Sequence, residues 1–206
     1  MPLSTVLGAQ SVVKPGVCTT ATRPASPFTG QMIYDTTVAQ TLVWNGSAWI
    51  GAAGKIGQVV STTKIDTYTM STQTYTTVTG LTATITPSST TSKIMIFASL
   101  SAAGEPGISR STARLIRDST AIAVPATAGS RVVGTTAIPL MTSAEISSNQ
   151  LLFLDSPAST SALVYGVQVR CNDGSATTYV NRSPNDADTT SINRSTSTIT
   201  VMEILA

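Results

Sequence analysis

About three in every ten residues of this chain carry a side-chain hydroxyl: 26 Ser and 36 Thr among 206 residues. Ser and Thr hydrogen-bond nearby backbone in non-helical conformations and so disfavour helix interiors, while the β-branch of Thr suits a pleated, half-buried surface. A hydroxyl-rich chain stays disordered only when it also lacks apolar residues and carries excess charge. Here 41% of residues are hydrophobic and the net charge is +2. The expectation is an all-β protein: a small N-terminal β-meander followed by a jelly-roll-like antiparallel β-sandwich, with almost no helix.

The same composition removes most chemistries. There is no His, which excludes Ser-His-Asp and Cys-His nucleophiles and His-ligated zinc. Charged residues make up 11% of the chain, without the basic excess of a nucleic-acid binder. The longest apolar runs, such as Ile94 to Ala98 and Leu151 to Leu154, fall far below the roughly 20 residues of a spanning helix, so no membrane insertion is expected. The opening MPLSTVLGAQ has no basic residue ahead of its apolar stretch, so no secretory leader is expected. Cys18 and Cys171, 153 positions apart, read as two reduced thiols. An uncharged polar surface tolerates contact with its own copy, and an oligomer is expected.

Along the chain, GAAGKIG at 51–57 separates two patterned regions. Residues 1–22 have no sustained period and read as an irregular arm. Residues 23–55 contain β-rich runs at 31–35, 41–45 and 48–50, with Asn45-Gly46 as a hairpin turn. That three-stranded meander is too small for a core of its own. Residues 56–206 hold about ten strand-like runs, including 74–78, 82–86 and 130–138. Alternation is clearest at Leu163, Tyr165, Val167, Val169 and Cys171. The last run, 196–205, has apolar residues in both phases, which predicts burial on both faces.

The stretch TRPASPFTGQMIYDTTVAQTLVWNGSAWI, residues 22–50, resembles a short module of bacteriophage tail-fibre and fibre-like virion proteins, of the form RPxxPxxGQMIYDT…LVWNGxAW. The matching residues are Arg23, Pro24, Pro27, Gly30, Met32, Tyr34, Asp35, Val43, Trp44, Asn45, Gly46 and Trp49. Downstream phrases such as KIGQVVSTTKIDTYT, RLIRDSTAI, FLDSPASTSALVYGVQVRC and STSTITVMEILA are similar to the C-terminal domain of such proteins. The resemblance implies a homotrimeric virion protein, a tail fibre with a receptor-binding head, whose N-terminal arm engages other virion proteins. The alternative it leaves is a head fibre or capsid decoration protein with a purely structural role. It implies no catalytic motif and no cofactor.

Candidate chemistry is sparse, and no enzyme, catalytic residue or metal site is expected. The carboxylates Asp186 and Asp188 are spaced like oxygen ligands of Ca²⁺ but lack the Gly and distal Glu of an EF-hand loop, and they read as a solvated turn. Glu105 and Asp155 are the pair whose convergence would create a glycosidase-like site. Arg110, Arg114, Arg117 and Arg131 read as a solvated face. Trp44 and Trp49 are assigned to folding and assembly. The stretch from Asn172 to Asp188 mixes Asn172, Asp173, Tyr179, Asn181, Arg182, Asn185, Asp186 and Asp188. These groups donate, accept and stack, which makes the stretch the candidate loop for a host-surface glycan.

Overall fold

The computed structural model describes residues 15–52, 54–107 and 110–205. They form two compact units, one ending at Gly54 and one beginning at Lys55.

The first unit is a four-stranded sheet in the order β1 (Gly16–Cys18), β2 (Met32–Asp35), β3 (Gln40–Trp44), β4 (Trp49–Gly51). The antiparallel β2–β3–β4 meander turns at Asn45-Gly46, where Asn45 Oδ1 accepts from the amides of Ser47 (2.9 Å) and Ala48 (2.8 Å) and Gly46 takes φ +103°. The irregular arm expected over 1–22 is corrected in its last residues: β1 pairs in parallel with β2, and Thr20–Thr22 form a 3-10 turn. The cause is a polar anchor that periodicity does not reveal. Buried Asp35 accepts from Arg23 Nε (2.6 Å), Thr20 Oγ1 (3.0 Å) and the amide of Thr37 (2.8 Å), which ties residues 20–23 to the sheet. The rest of that arm, residues 1–14, lies outside the described residues. Among the described residues of this unit the buried apolar side chains are Ile33 and Leu42, in keeping with its small size.

The second unit is a sandwich of two sheets with all strand pairings antiparallel. Its strands are β5 (Ile56–Lys64), β6 (Tyr68–Met70), β7 (Thr76–Ile85), β8 (Lys93–Gly104), β9 (Ser111–Arg117), β10 (Thr120–Ile122), β11 (Thr136–Ile138), β12 (Ser147–Asp155), β13 (Leu163–Cys171), β14 (Thr178–Val180) and β15 (Ser197–Ile204). In the six-stranded sheet, β8 has β12 on one side and β15 and β14 end to end on the other, with β5 and β6 beyond them. In the five-stranded sheet, β10 and β11 lie end to end beside β9, followed by β13 and β7. Period-two alternation turns Leu81, Ile85, Leu115, Val167 and Val169 of one sheet toward Ile94, Ile96, Leu100, Leu151 and Val201 of the other, giving one core.

The alternation read on β13 is the buried face observed, from Leu163 to Cys171. Elsewhere the structure departs from the sequence pattern. The runs at 74–78 and 82–86 belong largely to one strand, β7, because the residues between them form a bulge: Gly80 takes φ +79° and the β13 register slips between Gly166 and Gln168. Of the run at 130–138, only Thr136–Ile138 is strand. β6 is too short to carry a period. In the single chain β15 buries one face, Ser197, Ile199, Val201 and Glu203, and leaves Thr198, Thr200, Met202 and Ile204 half-exposed, the face that the expected double burial would need a second copy to cover. A sheet covered on one side has a free side, and both phases of β15 are apolar for different reasons. Both cysteines are free thiols.

Candidate functional site

The chain enters the sandwich at Lys55, whose carbonyl accepts from the amide of Leu205 (2.7 Å), and Ile204 faces Lys93 at the start of β8. β8 then runs twelve residues to Gly104, about 36 Å of rise. The segments 139–146, 172–177 and 181–196 gather toward this far end, since Thr178 pairs with Gly104 and Cys171 with Ser111. Much of the candidate stretch is thus presented at the end away from the chain entry.

The structure separates the eight candidate residues into distinct roles. Asn181 is the clearest correction. It is fully buried with φ +61°, its Nδ2 donates to the carbonyls of Lys64 (2.9 Å) and Asp66 (2.8 Å), and its Oδ1 accepts from Ser197 Oγ (2.6 Å). Ser197 Oγ in turn accepts from the amide of Ser101 (3.0 Å). Asn181 therefore joins four strands at the seam where β14 gives way to β15 and β6 to β5, and no ligand reaches it. Asn is suited to the position because it tolerates the left-handed region and brings both a donor and an acceptor.

From that seam the segment 181–196 crosses β8: the amide of Asn181 bonds Ser101 O (2.9 Å) and that of Asn185 bonds Ser143 O (2.7 Å), just ahead of β12. Ala103, on the outward phase of β8, is fully buried. Two of the predicted residues in this flap, Arg182 and Asp186, meet a third, Tyr179 of β14. The Arg182 guanidinium lies 4.7 Å from the Tyr179 ring centre and donates to Asp186 Oδ2 (3.1 Å). Arg194, which the sequence reading missed, grips Asp186 with two bonds of 2.6 Å. The Tyr179 hydroxyl donates to Glu105 Oε2 (2.6 Å), and burial and this carboxylate push the phenol pKa upward. The bidentate Arg–carboxylate geometry locks the flap as a network that is largely satisfied within the chain.

The remaining members are structural caps or exposed. Asn172 Oδ1 accepts from Thr112 Oγ1 (2.9 Å), Asp173 Oδ1 from the amide of Ser175 (2.9 Å), and Asn185 Oδ1 from that of Ala187 (3.1 Å). Asp188 is exposed, and among the described residues no cluster of three His, Cys, Asp or Glu side chains is placed to hold a metal.

Glu105 and Asp155 do not converge. Asp155 pairs with Ile94 at the entry end and Glu105 follows Gly104 at the far end, so eleven positions of β8, about 36 Å, separate them. Asp155 instead ties the sheets together, accepting from Tyr165 Oη (2.7 Å) and Arg117 Nη1 (2.7 Å). Burial and the adjacent carboxylate hold the Tyr165 phenol well above its ordinary pKa. Arg117 is thereby removed from the solvated basic face expected of it, because strand alternation points it inward while Arg114 points outward.

In the first unit, Trp44 and Trp49 face each other across β3 and β4, ring centres 5.6 Å apart at 60°, both half-buried. The edge-to-face pair adds to the stability of a hairpin with little core. Among the described residues no helix is long and apolar enough to cross a membrane. In comparison with known proteins, no family model and no curated protein matches the chain.

Proposed function

We propose that this chain is a bacteriophage virion structural protein, a homotrimeric tail fibre whose sandwich is the receptor-binding head. The observation that carries the reading is the polarity of the second unit. Its chain entry is at one end and the longest irregular segment among the described residues, 181–196, lies toward the other, which suits a domain held at one end and read at the other. The fibre-like phrases at 22–50 point the same way. Residues 1–30 are the proposed attachment segment toward other virion proteins, and a host-surface glycan is the proposed target, bound without cleavage.

Self-association is supported by the outer face of the six-stranded sheet. Two in-register rows cross it, Val59–Met202–Met95–Leu154 and Ser61–Thr200–Phe97–Leu152. Val59, Phe97, Leu152 and Leu154 are exposed in the single chain, and the rows contain no charge to repel an identical copy. Four strands of about eight residues span roughly 500 Å² in plan, the same order as the roughly 800 Å² per partner of a specific interface.

One observation favours the second reading, a head fibre or decoration protein. The flap network of Tyr179, Arg182, Asp186 and Arg194 spends its charges within the chain. Labelling intact particles with antibody to this chain, together with adsorption of purified protein to host cells, separates the two. Tail labelling with saturable adsorption is the expected result; capsid labelling without adsorption selects the decoration role, and absence from particles rejects both.

A further inference from the structure

The outer face of the five-stranded sheet carries a basic feature that the flap does not share. Arg114 on β9 and Arg170 on β13 point outward, in rows that pair Arg114 with Gln168 and Arg170 with Thr112. Both guanidiniums gather on Tyr75, Arg114 at 3.8 Å and Arg170 at 5.7 Å from the ring centre. The ring is fixed, because its hydroxyl donates to Val133 O. The segment bearing Val133 packs so closely that a Cβ at Gly134 would lie 2.4 Å from Thr112 Cγ2 and 2.9 Å from the Tyr75 hydroxyl. Each guanidinium is also anchored through Nε, Arg114 to Gln168 Oε1 (2.9 Å) and Arg170 to Cys171 O (3.2 Å).

Anchored this way, the two cations are held side by side while their terminal nitrogens have no hydrogen-bond acceptor among the described residues. None of the ion pairs among those residues includes either one. Elsewhere Arg23, Arg117, Arg182 and Arg194 each have a carboxylate. Two half-buried like charges on one ring repel, and a shared anion converts that repulsion into two charge-assisted bonds. Neutral groups that suit sugar hydroxyls lie alongside: Gln168, whose Nε2 donates to Thr77 Oγ1 (3.3 Å), and Asn172 beside Thr112.

We propose that Tyr75, Arg114 and Arg170 form a binding site for the anionic group of an acidic saccharide, a carboxylate or a sulfate. This deepens the receptor-binding reading by naming the ligand's chemistry. A saccharide is favoured over nucleic acid because the site offers one aromatic ring and two guanidiniums, enough for one anionic group but not a basic track along a phosphate backbone.

The test is calorimetric titration of the purified full chain with an oligogalacturonate as the carboxylate probe and a heparin-derived oligosaccharide as the sulfate probe. A neutral maltooligosaccharide and a single-stranded oligonucleotide serve as competitors. Binding of at least one anionic probe, weakened about tenfold or more in Arg114→Gln or Arg170→Gln and unchanged in Arg131→Gln, is expected. The probe that binds identifies carboxylate or sulfate as the source. In the wild-type chain, guanidinium NMR signals of Arg114 and Arg170 should shift on titration while that of Arg194 stays, a readout independent of whether a variant folds. No binding of either anionic probe, equal binding of the neutral sugar, tighter binding of the oligonucleotide, or full affinity in both variants overturns the site. Because binding is read on the isolated chain, its failure is distinct from failure of the virion assignment, which the particle labelling decides.

Discussion

The two sheets of the sandwich share one core and differ on their outer faces. Inward, each offers the same aliphatic alternation, Leu81, Ile85 and Leu115 against Ile94, Ile96 and Leu151. Outward, the six-stranded sheet presents Met95, Phe97, Leu152 and Leu154 in uncharged rows, whereas the five-stranded sheet presents Arg114 and Arg170 around Tyr75. Interior burial admits one solution, so the inner faces converge. The outer faces are free of that demand and differ in chemistry, which is why an identical copy is proposed for one and an anion for the other.

The largest effects should be symmetrical and internal. Ile96→Ala on one sheet and Leu81→Ala on the other should each cost about 2–5 kcal/mol in urea unfolding, since both side chains are fully buried. A cost confined to one sheet would mean that the two do not share a core. Next comes Asn181→Ala, expected to lower stability by about 1–3 kcal/mol through the unpaired Lys64 carbonyl, Asp66 carbonyl and Ser197 hydroxyl. Adsorption lost at unchanged stability would return Asn181 to the ligand-contact set.

Glu203 links the comparison to pH. It lies on the buried phase of β15, and burial alone would raise its pKa. Donors from Gln58 Nε2 (2.8 Å), the Ser88 hydroxyl (2.7 Å) and the Ser88 amide (2.6 Å) outweigh that and hold it at about 2. A carboxylate with its folded pKa below the ordinary 4.5 stabilises the fold above that ordinary value. The contribution is lost as pH falls from there through about 2. The urea midpoint of wild type should therefore drop between about pH 6 and about pH 3 by more than that of Glu203→Gln, and parallel pH profiles would contradict this. The smallest effect on stability, within about 0.5 kcal/mol, is expected from Phe97→Glu on the outer face. Its effect on mass should be large: if wild type sediments as the proposed trimer, the variant should sediment as a monomer, and an unchanged assembly would remove this face from the interface.

Much of the core and little of the candidate site were legible in the sequence. Leu163 to Cys171 alternate so regularly that the buried face of β13 follows from period alone. The Asn45-Gly46 turn is local chemistry and was equally readable. β1 escaped because its pairing depends on Asp35, seventeen positions beyond Cys18. Within the candidate loop, Tyr179, Arg182 and Asp186 do meet, yet Arg194 and Glu105 complete the cluster from outside the stretch that was read. The cationic pair on Tyr75 went unrecognised because it joins β9, β13 and the residue just ahead of β7, and composition shows only that arginines exist.

What the sequence by itself determined was the class of structure, since hydroxyl and β-branched residues at period two leave few alternatives to a half-buried sheet. What only the tertiary structure decided was the fate of each polar side chain. Asn181 looks like a surface group among its neighbours at 179–185, but its partners are Lys64, 117 positions away, and Ser197. Arg114 and Arg117, three apart on one strand, point to opposite faces, one toward solvent and one to Asp155. Whether a polar group meets water, a ligand or another strand depends on which distant segments fold beside it, and those pairings are a property of the whole chain rather than of any stretch within it.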